Sequence, residues 1–314
     1  MLNRFFATAV LLAAAMYPAD RLRAATELSL DELNLRWGTN LDEAAVSSDM
    51  LAPGLYVLRA AGGAIAASIG EDGVLIVDNQ YAKTVPRLEA EIRRLGGGSV
   101  DYVLNTHGHF DHADGNPYLA ERGARIIAHE NARLMLTRPN RMEYGAIFYI
   151  QPPHPPGGLP GITFADGMRL HFNGQAVSLH YFGPGHTDGD VVVYFESDNV
   201  LHVGDLYNAR YPYIDPGNGG SLSGLIAICH SILDLANAES QIVSGHAPVA
   251  TLADLQAYTD MLENVYRRLE QAARDGLTID QVLAAGPTAA FDDKFGNPGL
   301  FLSHAYETVL NETN

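Results

Sequence analysis

Short apolar runs broken by glycine alternate with longer stretches whose apolar residues recur at helical spacing. Residues 55–58, 64–69 and 74–77 read as successive strands, punctuated by Gly62-Gly63 and by Gly70-Glu71-Asp72-Gly73. The period then changes. Val85, Leu88, Ile92 and Leu95 fall at three- and four-residue steps, which predicts an amphipathic helix over 84–95 that Gly96-Gly97-Gly98 stops. An apolar run at 100–104 and a strand at 125–128 follow, with helical stretches at 116–122 and 129–136. Such alternation places helices on the outer face of a sheet. A second strand-rich half is predicted at 162–165, 168–172, 176–182, 191–195, 199–203 and 241–244, with amphipathic helices over 222–236 and 252–273.

Residues 27–51 mix polar and apolar positions around Trp37 and read as an irregular extension wrapping the core. Residues 137–161, centred on Pro152-Pro153-His154-Pro155-Pro156-Gly157-Gly158, read as an extended loop. A loop of that length is usually functional. Tyr144, Phe148 and Tyr149 give it the apolar weight of a substrate lid, and a packing loop is equally consistent. After a loop over 287–299, the end of the chain packs back as a C-terminal helix. There is no internal repeat and no linker, so residues 26–314 form a single domain with an N-terminal extension.

The densest chemistry follows the 100–104 run, in Asn105-Thr106-His107-Gly108-His109-Phe110-Asp111-His112. Neutral imidazole nitrogens and carboxylate oxygens are the ligands a borderline cation such as Zn²⁺ accepts. In an extended segment alternate side chains share a face. His107, His109 and Asp111 would then point one way and His112 another, so that one loop feeds two adjacent ions. Three later segments carry further candidates. Gly183-Pro184-Gly185-His186-Thr187-Asp188-Gly189-Asp190 leads into a strand, one strand runs into Gly204-Asp205, and another into Gly245-His246-Ala247-Pro248. Ligand sites on sheet proteins gather in this way on loops at one edge.

These motifs, in this order from about Leu55 to about Pro248, resemble those of the metallo-β-lactamase-fold hydrolases. The resemblance implies a mixed α/β (α+β) fold, a four-layer αββα sandwich. It also implies two Zn²⁺ per chain: His107, His109 and His186 on the first, Asp111, His112 and His246 on the second, and Asp205 bridging both. Iron or manganese would accept the same donors. Asp78, closing the 74–77 strand, would support the metal histidines by hydrogen bonding, or would serve only as a strand-end turn residue. The implied reaction is hydrolysis of a small ester, amide, lactone or thioester by a metal-bridging hydroxide that Asp111 orients. With Asp205 present the wording is similar to the glyoxalase- and lactonase-like branches. A β-lactamase and a non-catalytic metal-binding accessory protein of the cell envelope are the alternatives.

Charge narrows the partners. With 20 Lys+Arg against 37 Asp+Glu, the net charge of −17 disfavours nucleic acid, whose backbone needs a basic track. The one cysteine, Cys229, excludes an intramolecular disulfide and a cysteine-rich zinc site, and reads as a buried, inert thiol. Arg4, the apolar stretch 5–16 and Ala24-Ala25 resemble an export signal over residues 1–25, implying a periplasmic protein. Without cleavage the chain would be cytoplasmic. The apolar stretch is too short to span a bilayer. His129, His154, His171, His180, His202, His230 and His304 lie outside the motifs and are assigned no chemistry.

Overall fold

The computed structural model describes residues 25–313, so the predicted export signal lies outside the described residues apart from Ala25. After β1 (Thr26–Glu27) and α1 (Leu30–Arg36) come β2 (Ser47–Ala52), β3 (Leu55–Arg59), β4 (Ile65–Gly70), β5 (Gly73–Val77) and α2 (Val85–Arg94). Then follow β6 (Tyr102–Leu104), α3 (Phe110–Ala113), α4 (Asn116–Ala120), β7 (Arg125–His129), α5 (Glu130–Leu136), β8 (Asn140–Tyr144), β9 (Ile147–Gln151) and β10 (Ile162–Phe164). The second half holds β11 (Gly167–Phe172), β12 (Gln175–His180), β13 (Val192–Phe195), β14 (Val200–Gly204), α6 (Leu222–Leu235) and β15 (Gln241–Ser244). It closes with α7 (Leu252–Arg274), α8 (Ile279–Ala285), α9 (Asp292–Phe295) and α10 (Gly299–Thr313).

A seven-stranded sheet has the order β10-β7-β6-β5-β4-β3-β2, and a five-stranded sheet the order β11-β12-β13-β14-β15. Their facing sides make one apolar layer, with Val57, Leu75, Val77 and Leu104 meeting Val177, Leu179, Val193 and Phe195. Helix α2 covers the outer face of the first sheet through Val85, Leu88 and Ile92. Helices α6, α7 and α10 cover the outer face of the second, where Leu225, Leu262 and Tyr306 pack on Leu201 and Ile242. The layering is therefore helix, sheet, sheet, helix. His202, completely buried on β14, donates from Nε2 to the carbonyl of Ala64 at 2.9 Å and ties one sheet to the other. Cys229 is buried on α6, and burial pushes its thiol up to about 12. The 23-residue α7 begins with a capping box in which Thr251 and Asp254 satisfy each other's backbone N–H groups. Thr251→Ala should cost about 1 kcal/mol, read as a lower urea midpoint at unchanged slope.

Three expectations are corrected. Residues 140–151 are a β-hairpin and not an extended loop. Asn140 and Met142 point in while Arg141 and Glu143 point out, and Gly145 supplies the left-handed φ of 74° that its two-residue turn requires. The prolines that suggested a loop lie outside the hairpin, at 152–160. Residues 27–51 are less irregular than expected, because Ser29 and Glu32 form a capping box that starts α1. Strand β1 pairs with β9, making a small third sheet β1-β9-β8. Last, the metal-motif segment is extended only as far as His109. Helix α3 starts at Phe110, so Asp111 turns away from His107 and His109.

Among the described residues no helix is long and apolar enough to cross a membrane. The parallel strands decide where the chemistry collects. Strands β5, β6 and β7 run parallel in one sheet, and β14 and β15 run parallel in the other. Asn105 follows the end of β6, Asp205 the end of β14 and Gly245 the end of β15. Loops at the carboxyl ends of parallel strands open on one edge, and there the motifs meet.

Candidate metal centre

All seven predicted ligands converge. His107, His109 and His186 present ring nitrogens within 4.8 Å of one another, as do the donor atoms of Asp111, His112 and His246. His107, His112 and Asp205 make a third such group, so the two triads are neighbours and Asp205 belongs with both. The Asp205 carboxylate is 3.2 Å from His112 Nε2 through Oδ1, and 3.3 Å from His246 Nε2 and 3.8 Å from His186 Nε2 through Oδ2.

Hydrogen bonds fix which nitrogen each histidine offers. His112 Nδ1 donates to Asp78 Oδ2 at 2.8 Å, leaving Nε2 to face the cluster. Asp78 also accepts from the backbone N–H and the hydroxyl of Thr106, both at 2.8 Å. With its proton committed there, the Thr106 oxygen accepts from His107 Nδ1 at 3.0 Å, and His107 Nε2 faces inward. His186 Nδ1 donates to the carbonyl of Tyr213 at 2.6 Å. His109 Nε2 donates to Asp215 Oδ2 at 2.8 Å, so His109 alone turns Nδ1 inward. Partners of this kind set tautomer and ring orientation in metal sites.

In the first triad, bare lone pairs consequently face each other. His109 Nδ1 is 3.1 Å from His107 Nε2 and 2.8 Å from His186 Nε2, with the outward nitrogens holding the protons. Three nitrogens on one tetrahedral ion at about 2.05 Å would stand about 3.3 Å apart. The arrangement fits a cation and is repulsive without one. Burial, followed by the neighbouring histidines, holds His107 well below its usual range and His186 at about 4, so neither gains a proton to relieve the contact at neutral pH. The second triad behaves differently. Burial would lower His246, but the carboxylates of Asp205 and Asp111 override it and push the group up to about 10. His112 is raised in the same way by Asp205, Asp111 and Asp78. Against their own burial, His112 and His246 hold Asp111 at about 2 and Asp205 well below the usual carboxylate range. Asp205 Oδ1 is buried with no hydrogen-bond partner despite its nearness to His112, which leaves a lone pair for an ion.

Two glycines make room for this packing. A Cβ on Gly63 would run into the His112 ring, and one on Gly245 into Asp205 Oδ1. The glycine of the Gly-His pair is therefore a steric necessity. The hairpin reaches the same loop, since Gln151 Nε2 donates to the carbonyl of Gly108 at 2.8 Å. Asp190, pushed up to about 7 by burial, accepts from the Thr187 backbone and hydroxyl and closes the loop that carries His186.

Sequence reading missed Asp215 and the carbonyl of Tyr213. They lie in a stretch with no apolar period, and nothing in Tyr213-Ile214-Asp215-Pro216 signals a partner for a histidine more than a hundred positions earlier. Asp215→Asn should weaken metal binding at the first triad by about 10- to 100-fold while leaving the fold intact. Competition with a chromophoric chelator measures this, and unchanged affinity would make Asp215 merely structural.

Residues 65–226, just over half of the chain, match the family model described as "Metallo-beta-lactamase superfamily". The hydroxyacylglutathione hydrolase of Maricaulis maris is 27% identical over 225 residues, covering 66% of this chain and 75% of that protein. The hydroxyacylglutathione hydrolase of Synechocystis sp. is 33% identical over 134 residues, 42% of either protein. Among solved structures, the metallo-beta-lactamase from Pontibacter korlensis superposes with a TM-score of 0.58 at 16% identity. DIM-1 metallo-beta-lactamase does so with a TM-score of 0.56, also at 16% identity, each match covering 70% of this chain and 99% of the other. Likeness at that identity speaks for the fold and not for the substrate.

Proposed function

Because the chain belongs to the metallo-beta-lactamase superfamily, we propose that it is a dinuclear zinc hydrolase of small carboxylic esters, lactones, amides or thioesters, with thioesters foremost. The observation that carries this reading is the pair of donor triads with Asp205 between them and the inward nitrogens fixed by Asp78, Thr106, Tyr213 and Asp215. The relatives named hydroxyacylglutathione hydrolase support the preference for thioesters.

His107, His109 and His186 would hold one ion, Asp111, His112 and His246 the other, and Asp205 would contact both. Such a pair lowers the pKa of water toward 7 and polarises the carbonyl under attack. The protein's part is orientation and access. Asp111 is charged at neutral pH and more solvent-facing than His112, so it can accept a hydrogen bond from the attacking water and aim it. A carboxylate held at about 2 is a weak base, which makes aiming its main role. Beside His246 an open cavity of about 570 Å³, lined by Arg59, Gly62, Ala64 and Gly245 among others, gives a small substrate room to reach the cluster.

The test has two parts. Elemental analysis of chelator-free protein should find about two zinc ions per chain. A panel of thioesters, lactones, β-lactams and phosphoesters should then show turnover of the thioesters first. One ion after zinc reconstitution would remove the dinuclear site, and turnover of β-lactams alone would move the protein to that class. The reading includes export. The mature chain should begin near Ala25 or Thr26, and terminal sequencing of the native protein that returns Met1 would contradict it.

A further inference from the structure

From the metal cluster an aromatic row runs outward, built from side chains whose rings the site itself does not use. The Tyr213 ring lies 5.9 Å from His186 and 6.0 Å from His109, centroid to centroid. Tyr144, at the end of β8, is 5.5 Å beyond Tyr213, and Trp37, at the end of α1, is 5.1 Å beyond Tyr144 and edge-on to it. The row is fixed from behind. His304 on α10 packs edge-on against Tyr213 at 5.1 Å and donates from Nδ1 to the carbonyl of Ile214. Yet it is not sealed. Tyr144 and Tyr213 are half-buried and Trp37 is 43% exposed, where a tryptophan used only for packing would hide most of its ring. Burial, aided by neighbouring tyrosine and aspartate groups, pushes both phenols well above their usual range, so the row is uncharged at any working pH.

We propose that Tyr213, Tyr144 and Trp37 form a subsite for an aromatic acyl group, so that the substrate is an arylacyl ester or thioester whose carbonyl sits at the metal cluster and whose ring stacks along the row. The proposal rests on the hydrolase reading and narrows it. Rings at centroid steps of 5 to 6 Å are already in contact with one another, so they make a continuous strip, and a substrate ring laid along its open side gains contact with more than one. An acetyl group would end at Tyr213 and gain nothing from the outer two rings.

Trp37 is the chain's single tryptophan, so its fluorescence reports on this place alone. Zinc-loaded protein titrated with phenylacetate should show a saturable change in emission, and acetate should leave the emission unchanged. Tyr144→Ala should weaken phenylacetate binding about tenfold. In turnover, the S-phenylacetyl thioester of N-acetylcysteamine should be preferred over the S-acetyl one in kcat/KM. Trp37→Ala should reduce that preference by roughly tenfold. Phenylacetate binding without hydrolysis of either thioester would leave the subsite standing and sink the hydrolase reading. Hydrolysis of both with no preference and silent fluorescence would sink the subsite and keep the hydrolase. No response in either measurement would remove both.

Discussion

Asp205→Asn should leave the protein folded, strip metal from the second triad first, and lower kcat by more than about 100-fold, beyond what is usual for losing an outer hydrogen-bond partner. The argument is electrostatic. The Asp205 carboxylate lies within 3.2 to 3.8 Å of ring nitrogens on His112, His246 and His186, so it is shared by both triads. Asparagine keeps the size and one oxygen but removes the negative charge. Two divalent ions on these triads would then be separated by fewer compensating charges, at distances where low polarity makes repulsion large. The first triad would hold its ion through histidine nitrogens, of which burial keeps those of His107 and His186 free of competing protons. The second relies on Asp111 and on two histidines that prefer protons, so it loses metal first. Elemental analysis after dialysis, paired with kcat on the thioester the panel selects, reads both effects. His230→Asn, on the exposed face of α6 and paired only with Glu263, is the control. Retention of both metals with full turnover would show that Asp205 contacts a single ion or none.

The parts of this centre that were legible in the sequence are those with local pattern. The histidine motif follows the short apolar strand β6, and Asp205 and His246 each come directly after a glycine at the end of a strand or just past it. Asp78 follows β5 directly, and it accepts a hydrogen bond from His112, the contact that the resemblance implied. What stayed hidden depends on contacts that have no period. Asp215 acts through a side chain brought to His109 by a loop, and Gly63 matters because a ring lies against it. The hairpin at 140–151 was hidden by its neighbours. Strand β8 alternates between buried and exposed positions, but β9 is a continuous apolar run and the adjacent prolines dominate any reading by composition. The motif itself misled at one point. Strand geometry puts Asp111 with His107 and His109, whereas the first turn of α3 rotates it toward His112 and His246.

Metal uptake should depend on pH unequally at the two triads. His107 lies well below its usual range and His186 at about 4, so at neutral pH these two already offer bare nitrogens and an ion displaces no proton from either. The second triad holds protons on His112 and on His246, the latter up to about 10, until a metal replaces them. Each proton displaced makes apparent affinity fall about tenfold per unit of falling pH. The second site should thus weaken by about 10- to 100-fold for each unit between roughly pH 9 and pH 6, while the first, with His107 and His186 already free of competing protons, should change less. The same groups set the stability of the metal-free chain. His246, raised in the fold, contributes stability that is full below about 6.5 and is lost as pH rises through about 10, and His112, also raised, acts in the same direction. His186, depressed in the fold, contributes stability that is lost as pH falls from about 6.5 toward 4. Metal-free protein should therefore be most stable near neutrality. Zinc titrations by calorimetry in buffers of different ionisation enthalpy count the protons released at each step. A second equivalent that releases none, or a first that releases as many as the second, would overturn this assignment of protons to the two triads.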